Sequence, residues 1–150
     1  MIPASVTRLI IQMLDQIAAR LLPQGKTSPH LLTGRNGEDE AYFYLRKLGY
    51  EMVARNFRSP RRKGEIDLIA WEKGILCFIE VKTRTTHDVK TAEAAVDRRK
   101  QHEIALVARE YLRHIEESCE WRFDVVSVYY DGQHSSQPRF ELFRNAFFMS

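Results

Sequence analysis

Two apolar runs joined by a two-residue turn constrain this chain more than any other feature. Glu65–Trp71 and Ile75–Thr83 have the Ile, Leu, Val and Phe content of strands, and Lys73-Gly74 between them reads as a hairpin turn. With that turn, Glu72 faces Ile75, Trp71 faces Leu76, and the same count outward brings Asp67 opposite Glu80. Directly opposed residues share one face of a sheet, with Cβ atoms roughly 4.5–5.5 Å apart. Lys82, two positions beyond Glu80, projects from that face as well.

Two carboxylates facing each other across apolar strands repel, and Ile66, Leu68, Ile69, Ile79 and Val81 surround them. Buried like charges either raise a pKa or take a cation. Hard oxygen ligands suit Mg²⁺, with Mn²⁺ as a substitute; Mg²⁺ commonly takes one or two carboxylates and completes its shell with water and substrate phosphate. The pattern points to Asp67 and Glu80 as metal ligands, with the Val81 carbonyl as a further ligand. Lys82 would orient a water and offset charge developing on a phosphoryl group. The bland alternative is a solvated Glu80–Lys82 ion pair on an edge strand. The opposed Asp67, the apolar flanks and the order of elements weigh against it.

A chain of 150 residues is enough for one domain with a sizeable core. Gly34–Leu48 reads as a helix with Ala41, Tyr42, Leu45 and Leu48 on one face and Gly49 as its stop. Glu38 shares the stripe of Ala41, Leu45 and Leu48. It is either a third carboxylate for the site or a first-turn acid favoured by the helix dipole. Tyr50–Phe57 is strand-like, and Arg98–Ile115 is a helix with Asp97 as N-cap. Trp121–Tyr130 is a further strand, Asp131-Gly132 a turn, and Phe140–Phe143 a short edge strand. The order α-β-β-β-α-β predicts an α/β fold with a central mixed sheet flanked by helices.

Ahead of this core, Met1–Leu22 has helical spacing of Val6, Leu9, Ile10, Met13, Leu14, Ile17 and Leu21. Pro23-Gln24-Gly25 and Ser28-Pro29 read as a linker. Residues 1–32 are thus expected to form an accessory helix and linker, and residues 33–150 the working domain. The helix would dock on the domain, on a partner or on a membrane surface. No run reaches the roughly 18–20 apolar residues of a membrane span, and the basic start and cleavage site of a signal peptide are missing. Cys77 and Cys119 have neither zinc nor disulfide-framework spacing, which fits a reducing cytoplasm.

The net charge of +3 decides little; its distribution decides more. Arg55, Arg58, Arg61, Arg62 and Lys63 put five cations in nine residues, with no acid among them, just before the strand bearing Asp67. Arg84, Arg98 and Arg99 add charge near the other side of the proposed site. Such clustering suits phosphate contacts that are salt-dependent and insensitive to sequence; a solvated basic loop is the plain alternative. Gln101 shares a stripe with Ile104, Ala105 and Ala108, and Lys100 flanks it. Either could bond water or phosphate near the site, or simply be solvated. The histidines show no ligand or triad spacing, and no P-loop or nucleophile elbow occurs.

Several segments also resemble the YraN-like bacterial family, an uncharacterised protein family. They are Gly37-Glu38, Gly64-Glu65-Ile66-Asp67-Leu68-Ile69-Ala70, Phe78-Ile79-Glu80-Val81-Lys82-Thr83-Arg84, Lys100-Gln101 and Arg122-Phe123-Asp124-Val125-Val126. The resemblance runs in one unbroken order from about Thr33 to Phe147. It implies a restriction-endonuclease-like fold of the PD-(D/E)xK superfamily, similar to Holliday-junction resolvases, and a Mg²⁺-dependent endonuclease acting on nucleic acid, DNA before RNA. The superfamily motif would fall on Asp67, Glu80 and Lys82, with Glu38 as the helix acid. Ile66 stands where that motif has proline. A resolvase implies a homodimer with two sites, and no dimer face is identifiable. A nuclease fold that binds nucleic acid without cutting it is the alternative, because fold does not guarantee activity.

Overall fold

A computed structural model describes residues 29–84, 96–130 and 137–149, with side chains from residue 36 onward. The chain divides into two compact units, Met1–Thr33 and Gly34–Ser150. The expected N-terminal helix, the Pro23-Gln24-Gly25 part of the linker and the Asp131-Gly132 turn lie outside the described residues. Pro29, expected in the linker, instead opens a helix, where its fixed φ and missing N–H do no harm.

The elements are α1 (Pro29–Lys47), β1 (Glu51–Phe57), β2 (Ile66–Glu72), β3 (Ile75–Arg84), α2 (Arg98–Leu112), β4 (Trp121–Tyr129) and β5 (Arg139–Phe147). The five strands form one sheet in the order β1-β2-β3-β4-β5. All neighbours are antiparallel except β3 and β4, which run parallel and are joined through α2. The expected α/β class with a mixed sheet is therefore observed.

One helix covers each face. Ala41 and Leu45 of α1 pack with Tyr50, Leu68, Ala70, Cys77, Ile79, Val126 and Val128. Ile104, Ala105, Val107 and Ala108 of α2 pack with Ile69, Leu76, Phe78, Phe123 and Val125. Burial on both faces explains why β2 and β3 read as nearly continuous apolar runs. Leu48, expected on the buried stripe of α1, is 45% exposed because it falls just past the helix end. Gly49 there takes φ +94°, and the Tyr50 N–H returns to the Leu45 carbonyl at 3.1 Å.

The β2–β3 turn is as expected. Lys73 and Gly74 both have positive φ, the requirement of a type I′ hairpin, and Glu72 pairs Ile75 and Trp71 pairs Leu76. Asp97 caps α2 by accepting from the Lys100 N–H at 2.9 Å. The last strand is longer than the expected Phe140–Phe143. It runs to Phe147, whose ring stacks on Phe123 with centroids 4.6 Å apart. A register irregularity beside Asn145, at φ +53°, interrupts the alternation and hides that extension from a pattern search.

Candidate active site

Along β3, Leu76 and Phe78 belong to the α2 side, and Cys77 and Ile79 to the α1 side. Continuing that alternation puts Glu80, Lys82 and Arg84 on the α2 face, at the end of the strand remote from the hairpin turn. The N-terminal turn of α2 arrives at the same place: Lys82 Nζ and Lys100 Nζ lie 3.2 and 3.7 Å from Glu80 Oε1. Glu80 is 4% exposed, and its second oxygen, Oε2, has no hydrogen-bond partner among the described residues. A buried carboxylate oxygen without a donor carries a desolvation cost, and native proteins rarely leave one without a reason.

Asp67 reaches this place by a route the simple register did not anticipate. The β2–β3 ladder ends at Leu68–Ile79, one pair short of Asp67 and Glu80. Ile66 packs with the α2-side cluster and Leu68 with the α1-side cluster, although residues two apart on a regular strand share a face. The strand thus turns over at Asp67, beside Asn56 of β1 with its positive φ of +49°. Asp67 Oδ2 then accepts the Val81 N–H at 2.7 Å, so the carboxylate serves where another ladder bond would be. Burial pushes the Asp67 carboxyl up to about 8, nearby Glu80 adds to the rise, and the Val81 N–H opposes it.

Glu38, on α1, is half-buried and accepts from Asn56 Nδ2 at 3.2 Å. Its carboxyl is raised by burial first and then by Glu65, with smaller contributions from Asp39 and Glu80. Among the described residues, no three His, Cys, Asp or Glu side chains form a group that could hold a metal as they stand. Gln101 does not face the site with a free amide: its Nε2 donates to the Val96 carbonyl at 2.8 Å and ties the segment ahead of α2 to the helix.

The basic loop is less available than its sequence implied. The acids missing from its own nine residues come from elsewhere. Arg55 pairs with Asp39 and lies over the Tyr42 ring at 5.2 Å, Arg58 pairs with Glu65, and Arg62 stands 3.9 Å from Glu110. Arg61 and Lys63 are exposed. Arg84, at the end of β3, buries its Nε with no hydrogen-bond partner among the described residues.

A buried polar network that the sequence did not reveal lies at the other end of the sheet. Arg122 Nε donates to Asp124 Oδ1 at 2.8 Å, and its terminal nitrogen donates to Glu72 and to the Tyr50 hydroxyl. Arg144 completes the grip on Glu72, with Nη2 2.7 Å from Oε1. Hydrogen bonding from Arg144, reinforced by Arg122, holds the Glu72 carboxyl down at about 2 against the opposing effect of burial. Asp124 is fully buried and also accepts the Asn145 N–H at 2.9 Å. The carboxylates here are satisfied within the chain, so the network ties Tyr50, just ahead of β1, to β2, β4 and β5, whereas Glu80 keeps an oxygen without a donor among the described residues.

Residues 37–128 match the family model described as Uncharacterised protein family UPF0102, a span that holds Glu38, Asp67, Glu80, Lys82, Lys100 and Asp124. The chain is 51% identical over 144 residues to a UPF0102 protein of Koribacter versatilis, covering 96% of each chain. It is 39% identical over 142 residues to a UPF0102 protein of Solibacter usitatus, covering 93% of this chain and 98% of that one. A UPF0102 protein of Rhodococcus opacus is 46% identical over 121 residues, 79% of this chain and 98% of the relative. With the family model matched over residues 37–128 and the relatives matched over nearly their whole length, the chain belongs to the UPF0102 family.

Proposed function

We propose that this chain is a divalent-metal-dependent nuclease of the PD-(D/E)xK type, hydrolysing nucleic-acid phosphodiesters at Asp67, Glu80 and Lys82. The observation that carries the reading is the unpartnered Oε2 of the buried Glu80, next to a carboxyl that burial and Glu80 itself hold protonated. Two such oxygen donors suit a hard cation and would be the protein's share of its shell. Mg²⁺, or Mn²⁺ in its place, would be held by Asp67 and Glu80 and, when bound, would supply Lewis-acid activation of the phosphate and of a water.

The chain's own residues do the rest. Asp67 is fixed by the Val81 N–H, so one oxygen is oriented before any ligand arrives. Lys82 and Lys100 hold Glu80 Oε1 from two different elements, β3 and α2. In the reaction Lys82 orients the attacking water and offsets charge gathering on the phosphoryl oxygens. Branched DNA is the substrate class to test first, and a homodimer with two sites would suit it. The reading also sets the chain in a reducing cytoplasm, with Cys77 and Cys119 as thiols.

A second reading, nucleic-acid binding without cleavage, is favoured by one observation: the two ammonium groups on Glu80 already neutralise it, and no third ligand side chain joins the pair among the described residues. Incubation of the full chain with branched, duplex and single-stranded DNA and with RNA, with and without Mg²⁺ or Mn²⁺, separates the two. The nuclease reading expects metal-dependent products that Asp67→Ala abolishes and Lys82→Ala slows by about 10²–10³-fold. Salt-sensitive binding with no product under any condition would replace it with the binding module.

A further inference from the structure

Two polar atoms of opposite character are buried on one face of β3 without partners among the described residues: Glu80 Oε2 and Arg84 Nε. One is an acceptor in need of positive charge, and the other is a donor in need of an acceptor. They are four residues apart on a strand that pairs regularly with β4 as far as Arg84–Tyr129, so both side chains leave the same face. Lys82 lies between them, and Lys100 of α2 comes in beside Glu80. Lys82, Arg84 and Lys100 thus gather three basic side chains around Glu80 on this strip.

We propose that Arg84 is a phosphate-binding residue that holds the nucleic-acid backbone beyond the scissile position, so that β3 tracks a strand along its length. A rise of roughly 3.3 Å per residue puts the Arg84 Cα about 13 Å from that of Glu80. Strand side chains stand roughly perpendicular to the sheet, so the two head groups keep a similar separation and Arg84 meets a phosphate other than the one at Glu80. A phosphodiester oxygen supplies the acceptor that the Arg84 Nε–H lacks among the described residues, and a planar, permanently charged donor group suits it. The strip is a stronger candidate for backbone contact than the basic loop. Arg55, Arg58 and Arg62 of that loop are each engaged by an acid of the chain, whereas the Arg84 Nε–H is not.

This inference rests on the nucleic-acid reading of the site and not on cleavage, and its test keeps the two apart. Binding of labelled branched, duplex and single-stranded oligonucleotides to the full chain is measured in chelator, across a range of salt concentrations, for wild type, Arg84→Gln and Arg84→Lys. Arg84→Gln is expected to weaken binding about tenfold or more and to reduce the slope of log affinity against log salt by about 0.7–0.9, the loss of one phosphate contact. Arg84→Lys keeps the charge and loses the Nε–H, so the slope should stay near wild type while affinity falls. It also serves as the test should Arg84→Gln fail to fold. Equal affinity and slope for wild type and both variants would overturn the proposal even if the wild type cuts DNA. Failure of the wild type to bind any of the nucleic acids would overturn it as well. Arg84-dependent binding with no cleavage in added Mg²⁺ would support the proposal and reject the nuclease reading.

Discussion

Asp67 is buried beside Glu80, and the hydrogen bond it receives from Val81 does not offset the loss of water and the neighbouring negative charge. The carboxyl therefore titrates near 8 in the fold, against an ordinary value of 3.8. A folded-state pKa raised above the unfolded one gives stability that is complete below the lower value and is lost as pH rises through the higher one. In chelator, wild-type stability should thus fall between about pH 4 and pH 8 through Asp67. Asp67→Asn cannot ionise and should lose that contribution to the slope, becoming the more stable protein at the alkaline end of the window. Urea denaturation at several pH values measures it, and parallel pH profiles for the two proteins would show that Asp67 carries no such strain. Under the proposed function, a bound cation would offset this cost, as functional sites hold residues that the fold alone does not favour.

The elements that meet at the site depend on close approach. Gly37 of α1 lies against Thr83 of β3: a Cβ there would stand 1.9 Å from Thr83 Oγ1 and 3.1 Å from its Cβ. Helix propensity alone would make Gly37→Ala stabilising by about 1 kcal/mol. Overpacking should outweigh that, giving a net loss of about 1–2 kcal/mol in chemical denaturation. Adding Thr83→Ala should restore most of it, because the two substitutions share one contact. A Gly37→Ala protein more stable than wild type would mean that α1 does not depend on this approach. The glycine also explains how Glu38, the next residue, comes near enough to feel Glu80 while its carboxylate is engaged by Asn56. α2 contributes through its N-terminal turn, where the Asp97 cap and the Gln101 amide fix the backbone that carries Lys100 to Glu80.

At the scale of the whole molecule, local pattern and turn chemistry were enough to read the order of elements along the chain, the hairpin register as far as Leu68–Ile79, and the Asp97 cap. Each of these is set by residues close together in the chain. What stayed hidden depends on distant partners. The turnover of β2 at Asp67 accompanies a positive φ on Asn56 of the neighbouring strand. The arginines of the basic loop are engaged by Asp39, Glu65 and Glu110, and only the folded sheet brings those acids to them. Lys100 gains its place from the docking of α2, and the Arg122 network joins residues of three strands and Tyr50. The pairing of Asp67 with Glu80 was reached by an idealised register, and the structure brings the two acids together by a bent one. On the proposed function, this acid pair is a seat for a hard cation. Titration of the full chain with Mn²⁺, without nucleic acid and followed by the loss of the free-ion magnetic resonance signal, tests it most directly. Saturable binding is expected, falling about tenfold or more in Glu80→Gln and in Asp67→Asn, both still folded. Binding that is absent in the wild type, or unchanged in the two variants, would contradict it.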